Sequence, residues 1–302
     1  MSSEQIGFVG LGNMGGRIVR HIVESGAPVS GFDTRPKVVA ASGVSPAASV
    51  AATAKGSGLI FLSLPNTPAV EAVVLGPDGL LNASHSGQVI VDLGTSAPDS
   101  TRRLAAQFAE RGATFLDAGI SGGAAAADAG TLTLMVGGEQ AGLEQARPTL
   151  DLFSNKVYYC GASGAGHIAK LLNNFLNAVA LSATAEVMVA GKKAGLDLEV
   201  LLGILNSSSG VNFATQNRFP KIIHGDYLEG GLTGELMLKD VTLYVDLLSN
   251  LGVASLNSSG PVASFGLANG LGYGTQISNR VVDAIGDVSG GVRLHDTDAA
   301  TR

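Results

Sequence analysis

Ile6-Gly-Phe-Val-Gly10-Leu-Gly12-Asn-Met-Gly15-Gly-Arg-Ile-Val-Arg-His-Ile22 is the stretch whose reading decides the fold. A short apolar run enters three glycines spaced Gly-x-Gly-x-x-Gly, and from Met14 onward apolar residues recur at helical spacing. Strand, tight turn and helix therefore follow one another. In that context Gly10 permits the turn, Gly12 lets the backbone approach a ligand, and Gly15 lets the helix pack closely on the strand. Gly10, Leu11, Gly12, Asn13, Met14 and Gly15 then bring backbone N–H groups to a pyrophosphate. A second apolar run ends on Asp33, about 20 residues on, where a carboxylate accepts from adenosine ribose hydroxyls and repels a 2′-phosphate. NAD is the expected cofactor. Arg35, just past that strand, is able to hold the same phosphate, so NADP stays open.

Outward from this unit, β-rich runs at 6–9, 29–32, 59–64, 89–93, 114–117, 132–136 and 157–159 alternate with helical patterns at 14–24, 67–74, 99–111 and 140–153. That alternation predicts an α/β domain, a doubly wound parallel sheet covered on both faces. After residue 161 the strand signals fade. A helical pattern runs over 166–191, roughly 40 Å at the α-helical rise, and is apolar almost all round, which predicts burial between domains or against another subunit. Helices are expected at 197–207, 211–224, 234–251, 261–271 and 275–285. The chain of 302 residues suits two domains at about 150 residues each. Their expected bounds are 1–162 for the dinucleotide-binding domain and 163–292 for an all-helical domain around the long helix, with a loose tail over 293–302.

Composition narrows the function. Lys and Arg number 19 against 25 Asp and Glu, a net charge of -6 without a basic run, so nucleic acid is not an expected partner. Asn173, Asn174 and Asn177 interrupt the longest apolar stretch, and no membrane span is expected. The single cysteine, Cys160, forms no internal disulfide, and the N-terminal residues carry no basic, signal-type segment, so the chain reads as cytoplasmic. His21, His85, His167, His224 and His295 make no cluster with metal-ligand spacing, and no metal is expected. His167, a turn before Lys170, reads as a packing or hydrogen-bonding residue.

Lys170 and Asn174 lie four apart on the long helix, with Asn177 continuing the same polar stripe. Two readings stay open for them on these grounds. Lys170 snorkels to solvent while the asparagines bridge neighbouring helices, or a partly desolvated ammonium serves as an acid/base group for an alcohol. Ser121-Gly122-Gly123, after the strand at 114–117, is either a glycine-rich turn or a set of donors converging on an anion.

Five segments in matching order carry a resemblance: Gly10-Leu-Gly-Asn-Met-Gly15, Asp117-Ala-Gly-Ile-Ser-Gly-Gly123, Gly130-Thr-Leu-Thr-Leu-Met-Val-Gly137, Gly164-Ala-Gly-His-Ile-Ala-Lys-Leu-Leu-Asn-Asn174 and Leu238-Lys-Asp240. In these the sequence resembles the β-hydroxyacid dehydrogenases, the family of 3-hydroxyisobutyrate dehydrogenase and tartronate semialdehyde reductase. The resemblance implies a Rossmann-type domain, a helical domain like the C-terminal domain of 6-phosphogluconate dehydrogenase, and NAD(P)-linked oxidation of a short 3-hydroxy acid. It implies that Lys170 is catalytic and that Asn174, Ser121, Gly122 and Gly123 bind substrate. Leu64, Pro65 and Thr95, with Ser96, would line the cofactor, and Lys239 would reach it with Asp240 orienting the ammonium. The partner implied is a small anionic hydroxy acid or semialdehyde, and the expected assembly is a homodimer or homotetramer. One departure stands out: the family has Pro where this chain has Gly119. An imine-reducing relative would replace the helix lysine. A non-catalytic dinucleotide sensor would have no use for Lys170, Asn174 and Lys239 together.

Overall fold

The sheet grows to both sides of its first strand. In the computed structural model, which describes residues 5–295, β1 (Gln5–Val9) is followed by α1 (Asn13–Glu24), whose Gly15, Ile18, Val19 and Ile22 face inward at helical spacing. The crossover returns the chain to β2 (Val29–Phe32), parallel to β1. Short α2 (Pro36–Ala41) leads to β3 (Ser45–Pro46), and α3 (Val50–Ala54) leads to β4 (Ser57–Leu62) on the other side of β1. There follow α4 (Thr67–Leu75), α5 (Leu80–Ala83), β5 (Val89–Asp92), α6 (Pro98–Ala109) and β6 (Thr114–Ser121), then α7 (Gly123–Asp128), β7 (Leu132–Gly137), α8 (Gln140–Leu150) and β8 (Ser154–Gly161). Strand order is β3-β2-β1-β4-β5-β6-β7-β8. The winding reverses between β1 and β4, so their carboxyl ends open the crevice where such sheets bind ligands.

Alternation along the strands builds two cores. Phe8 and Phe61 join Ile18, Leu143 and Leu150 on one face of the sheet. Val9, Ile60 and Leu62 join Val70, Val74, Leu104 and Phe108 on the other. The expected sheet is thus present, with two differences. β3 is an additional two-residue edge strand, where Pro46 costs no ladder bond. β6 and β7 pair antiparallel, Asp117 opposite Gly137 and Ser121 opposite Thr133, because the 122–131 connection is too short for a parallel crossover.

Beyond the sheet come α9 (Ala165–Lys193), α10 (Leu198–Asn206), α11 (Phe213–Asn217), α12 (Phe219–Ile222), α13 (Gly234–Leu251), α14 (Ser259–Gly270), a 3-10 turn (Ser278–Arg280) and α15 (Val281–Val288). The chain divides into compact units between Lys170 and Leu171, eight residues later than the expected boundary. The first turns of α9 belong with the sheet because Gly166 lies flat on it: a Cβ there would meet Met135 O at 2.3 Å and Asp117 O at 2.7 Å. The expected helix over 211–224 is broken in two at Pro220, whose ring and missing N–H end α11 and open α12. The long helix is not buried all round. Phe175, Ala178, Leu181, Ala185 and Met188 enter the helical core, whereas Leu172 and Val187 are exposed and Leu176 is 68% exposed. Of the tail, Leu294 is buried and the Tyr227 hydroxyl lies 3.1 Å from His295 Nε2, so 293–295 are packed. Residues 296–302 lie outside those described. No helix among the described residues is long and apolar enough to cross a membrane.

Candidate active site

The glycine turn is shaped by what glycine lacks. Gly10 has φ +90°, and a Cβ there would sit 2.3 Å from Ser63 O; one on Gly15 would sit 1.9 Å from Gly10 O. Gly12 caps α1 in an extended conformation without a side-chain cap, so the first-turn N–H groups of α1 are not met by a capping side chain. A Cβ on Gly12 would approach only the end of the Arg35 side chain. The cradle therefore fits a pyrophosphate on backbone N–H groups at a helix start.

Asp33 binds the same turn. Its Oδ2 accepts the Leu11 N–H at 2.9 Å, and its Oδ1 accepts the Arg35 N–H at 2.9 Å and Nε–H at 3.0 Å. The Arg35 guanidinium, ahead of the two backbone N–H groups, holds this carboxyl below the usual carboxylate range. Sequence reasoning set Asp33 against ribose and left Arg35 to the 2′-phosphate. In the folded chain the two are one ion pair, with the arginine exposed and the aspartate side chain covered. Leu64 extends from the end of β4 beside the turn, its Cδ2 3.1 Å from where a Gly10 Cβ would lie, and its carbonyl comes as close to Gly94. Leu64, Pro65 and the glycine turn thus share the switch point of the sheet.

Two aspartates that sequence reasoning left unassigned organise the next loops. Buried Asp92, the last residue of β5, accepts from Gly94 N–H and Ser96 Oγ–H, both at 2.9 Å, and so shapes the turn that carries Thr95. Buried Asp117, within β6, accepts from Gly164 N–H and His167 N–H, both at 2.8 Å, and so anchors the start of α9. His167 is fully buried, with Nδ1 2.8 Å from Thr101 Oγ1 and Nε2 3.7 Å from Asp92 Oδ2. The signal was present in the sequence: Asp92 ends an apolar strand run and Asp117 interrupts one, and an unpaired charge in either place would not be tolerated.

Lys170 follows from that anchoring. It is only 9% exposed, and its stem lies against β6, since a Cβ on Gly119 would meet Lys170 Cβ at 2.5 Å and Cγ at 3.0 Å. Ser121, two residues along β6, points to the same strand face as that contact. Gly122, at φ +126°, and Gly123, at φ +69°, turn the chain into α7 with exposed backbone. In the helical unit, buried Asn174 donates through Nδ2 to Asp240 Oδ2, and Asp240 Oδ1 lies 3.0 Å from Lys239 Nζ. Asp240 thus holds both the amide and the ammonium. Among the described residues no group of three His, Cys, Asp or Glu is arranged to hold a metal. Cys160 is half-buried, and burial raises its thiol above the usual value.

Comparison with known proteins bears on the family, the fold and the cofactor. Residues 5–161 match the model of the NAD-binding domain of 6-phosphogluconate dehydrogenase, and residues 164–265 match the NAD-binding domain of NADP-dependent 3-hydroxyisobutyrate dehydrogenase. The chain is 38% identical over 247 residues, 81% of its length and 82% of the relative's, to 2-(hydroxymethyl)glutarate dehydrogenase of Eubacterium barkeri. The chain belongs to the β-hydroxyacid dehydrogenase family. This β-hydroxyacid dehydrogenase is also 38% identical over 250 residues, 80% of its length and 84% of the relative's, to the NAD-dependent L-serine dehydrogenase of Pseudomonas aeruginosa. A solved structure of Mycobacterium tuberculosis 3-hydroxyisobutyrate dehydrogenase with L-serine covers 92% of it, and 98% of that chain, at TM-score 0.84 and 29% identity. It is an NAD(P)-dependent hydroxyacid dehydrogenase, with NAD as cofactor and NADP as the alternative.

Proposed function

We propose that this β-hydroxyacid dehydrogenase interconverts a short 3-hydroxy acid of the 3-hydroxyisobutyrate kind and its aldehyde, with Lys170 as the acid/base. The observation that carries this reading is the setting of Lys170: a lysine only 9% exposed as a whole residue, its stem on the bare backbone of Gly119, on the strand face toward which Ser121 projects. Ser121, Gly122 and Gly123 hold the substrate carboxylate through a hydroxyl and side-chain-free N–H groups. Asn174, one turn along α9 from Lys170 and oriented by Asp240, aligns the hydroxyl. Gly10 to Gly15, Asp33, Leu64, Pro65 and Thr95 hold the dinucleotide, with Lys239 on its cofactor side. When bound, the nicotinamide supplies a two-electron acceptor for the hydride of the carbinol carbon. The chain's own part is the proton: Lys170 takes it from the hydroxyl as the C–O bond becomes a carbonyl, and returns it in the reverse direction.

The same residues serve a semialdehyde reductase working on tartronate semialdehyde, and the relatives named for L-serine and 2-(hydroxymethyl)glutarate widen the candidate substrates. The enzyme works as a homodimer or homotetramer in this reading, supported by apolar side chains left exposed on the helical unit. The test is a panel of 3-hydroxyisobutyrate, L-serine and glycerate, the alcohol partner of tartronate semialdehyde, with NAD and NADP, followed by absorbance of the reduced nicotinamide. Turnover that Lys170→Ala abolishes is the expected result; unchanged turnover in that variant eliminates the mechanism.

A further inference from the structure

Arg218, between α11 and α12, is a cation without an anion. Its Nη2 donates to Asn177 Oδ1 at 3.0 Å and its Nη1 to Asn279 Oδ1 at 2.8 Å, and its Cζ lies 5.7 Å from the Phe213 ring centroid. These are neutral partners and, among the described residues, no carboxylate pairs with it. Arg17, Arg280 and Arg293, likewise partly buried, each form an ion pair with an aspartate. Burial lowers the Arg218 guanidinium to about 10, the mark of a charge taken from water without compensation. A guanidinium has five N–H donors in a planar fork that matches a carboxylate. Two are spent here on amides, which fix the plane of the fork. A guanidinium buried among neutral partners leaves its charge unmatched, and a titratable group perturbed in this way is a candidate ligand-binding residue.

Position along α9 says which ligand. Asn177 follows Asn174 by three residues and Lys170 by seven, on one helical stripe. Asn177 therefore lies about 4.5 Å along the helix axis from Asn174. That spacing suits the far end of a small molecule whose carbinol is at Lys170 and Asn174. Resting on the function proposed above, we propose that Arg218, held by Asn177 and Asn279, is a second anion subsite and that the physiological substrate is a hydroxy acid with a second carboxylate two or three carbons beyond the carbinol carbon.

The test compares 3-hydroxyisobutyrate with 2-(hydroxymethyl)succinate, in which a carboxymethyl group replaces the methyl. The intact enzyme is expected to show the higher kcat/KM with the dicarboxylate. Arg218→Gln is expected to cut the ratio of the two values by about 10- to 100-fold, the worth of a charge-assisted contact, and Arg218→Lys to restore part of it. An enzyme that prefers the monocarboxylate, or a ratio that Arg218→Gln does not move, overturns the subsite while leaving the reading of Lys170 intact. Turnover of neither acid brings down that reading and the subsite with it. Should Arg218→Gln not fold, competition on the intact enzyme decides. Succinate inhibiting at least tenfold more tightly than butyrate supports the subsite, and equal inhibition overturns it.

Discussion

In the reading proposed above, Lys170 is the acid/base, and its surroundings are what support that role. Its stem rests on Gly119, where a Cβ built on this backbone would come within 2.5 Å of it, and the residue as a whole is buried to 9% exposure. Lys170→Ala is expected to lower kcat by about 10²- to 10⁴-fold, the usual worth of a positioned acid/base. Calorimetric titration should show NAD affinity within a few-fold of the parent, and a parallel loss of cofactor binding would count against the assignment. Gly119→Ala tests the contact from the other side: its Cβ displaces the lysine stem, so kcat should fall while the KM for cofactor stays in place. Asp33 makes a pH prediction. Its native pKa lies below the unfolded value near 3.8, so its contribution is complete above that value and is lost as pH falls through the lower native one. Cofactor binding should keep the Asp33 contribution from neutrality down to about pH 4, and a loss of that contribution already at pH 6 would contradict the Arg35 pairing.

At the scale of elements, the junction between sheet and helix carries the most leverage. Asp117 satisfies two backbone N–H groups at the start of α9, and the turns it anchors lead to Lys170. Removing a buried acceptor leaves each donor unpaired at about 1–3 kcal/mol. Asp117→Ala is therefore expected to lower Tm by roughly 4–24 °C, at about 2–4 °C per kcal/mol for a unit of this size, with Asp117→Asn less damaging because one acceptor remains. A melting curve unchanged in Asp117→Ala would remove the anchoring role. The glycine turn shows the complementary strategy: backbone is brought close by omitting side chains, and α1 starts without a capping side chain on its first turn.

On the scale of the whole molecule, the apolar surface of the helical unit is the open account. Leu176 is 68% exposed, and Val200, Ile204 and Phe213 are also largely exposed, side chains of the type that subunit interfaces cover. The protein should elute and scatter light as a dimer or larger, and Leu176→Glu with Ile204→Glu should shift it to the monomer. A monomeric parent protein would end that expectation and leave the chemistry of Lys170 untouched.

Much of this was legible without coordinates. The strand, the glycines and Asp33 mark the dinucleotide turn because each is a local requirement, of backbone conformation or of charge at a fixed distance along the chain. The strands and the larger helices were readable for the same reason, since periodicity is written in neighbouring residues. Short α2, α3, α5 and α7 were not, being too brief to show a period. What the folded chain alone decided are pairings across large separations: Asp117 on the start of α9, Asp92 beneath the turn of Thr95, Arg35 closed on Asp33, and Arg218 left with amides. Local pattern cannot rank such partners, because which charges meet depends on how strands and helices pack, and a buried charge takes its meaning from the neighbour that packing brings to it.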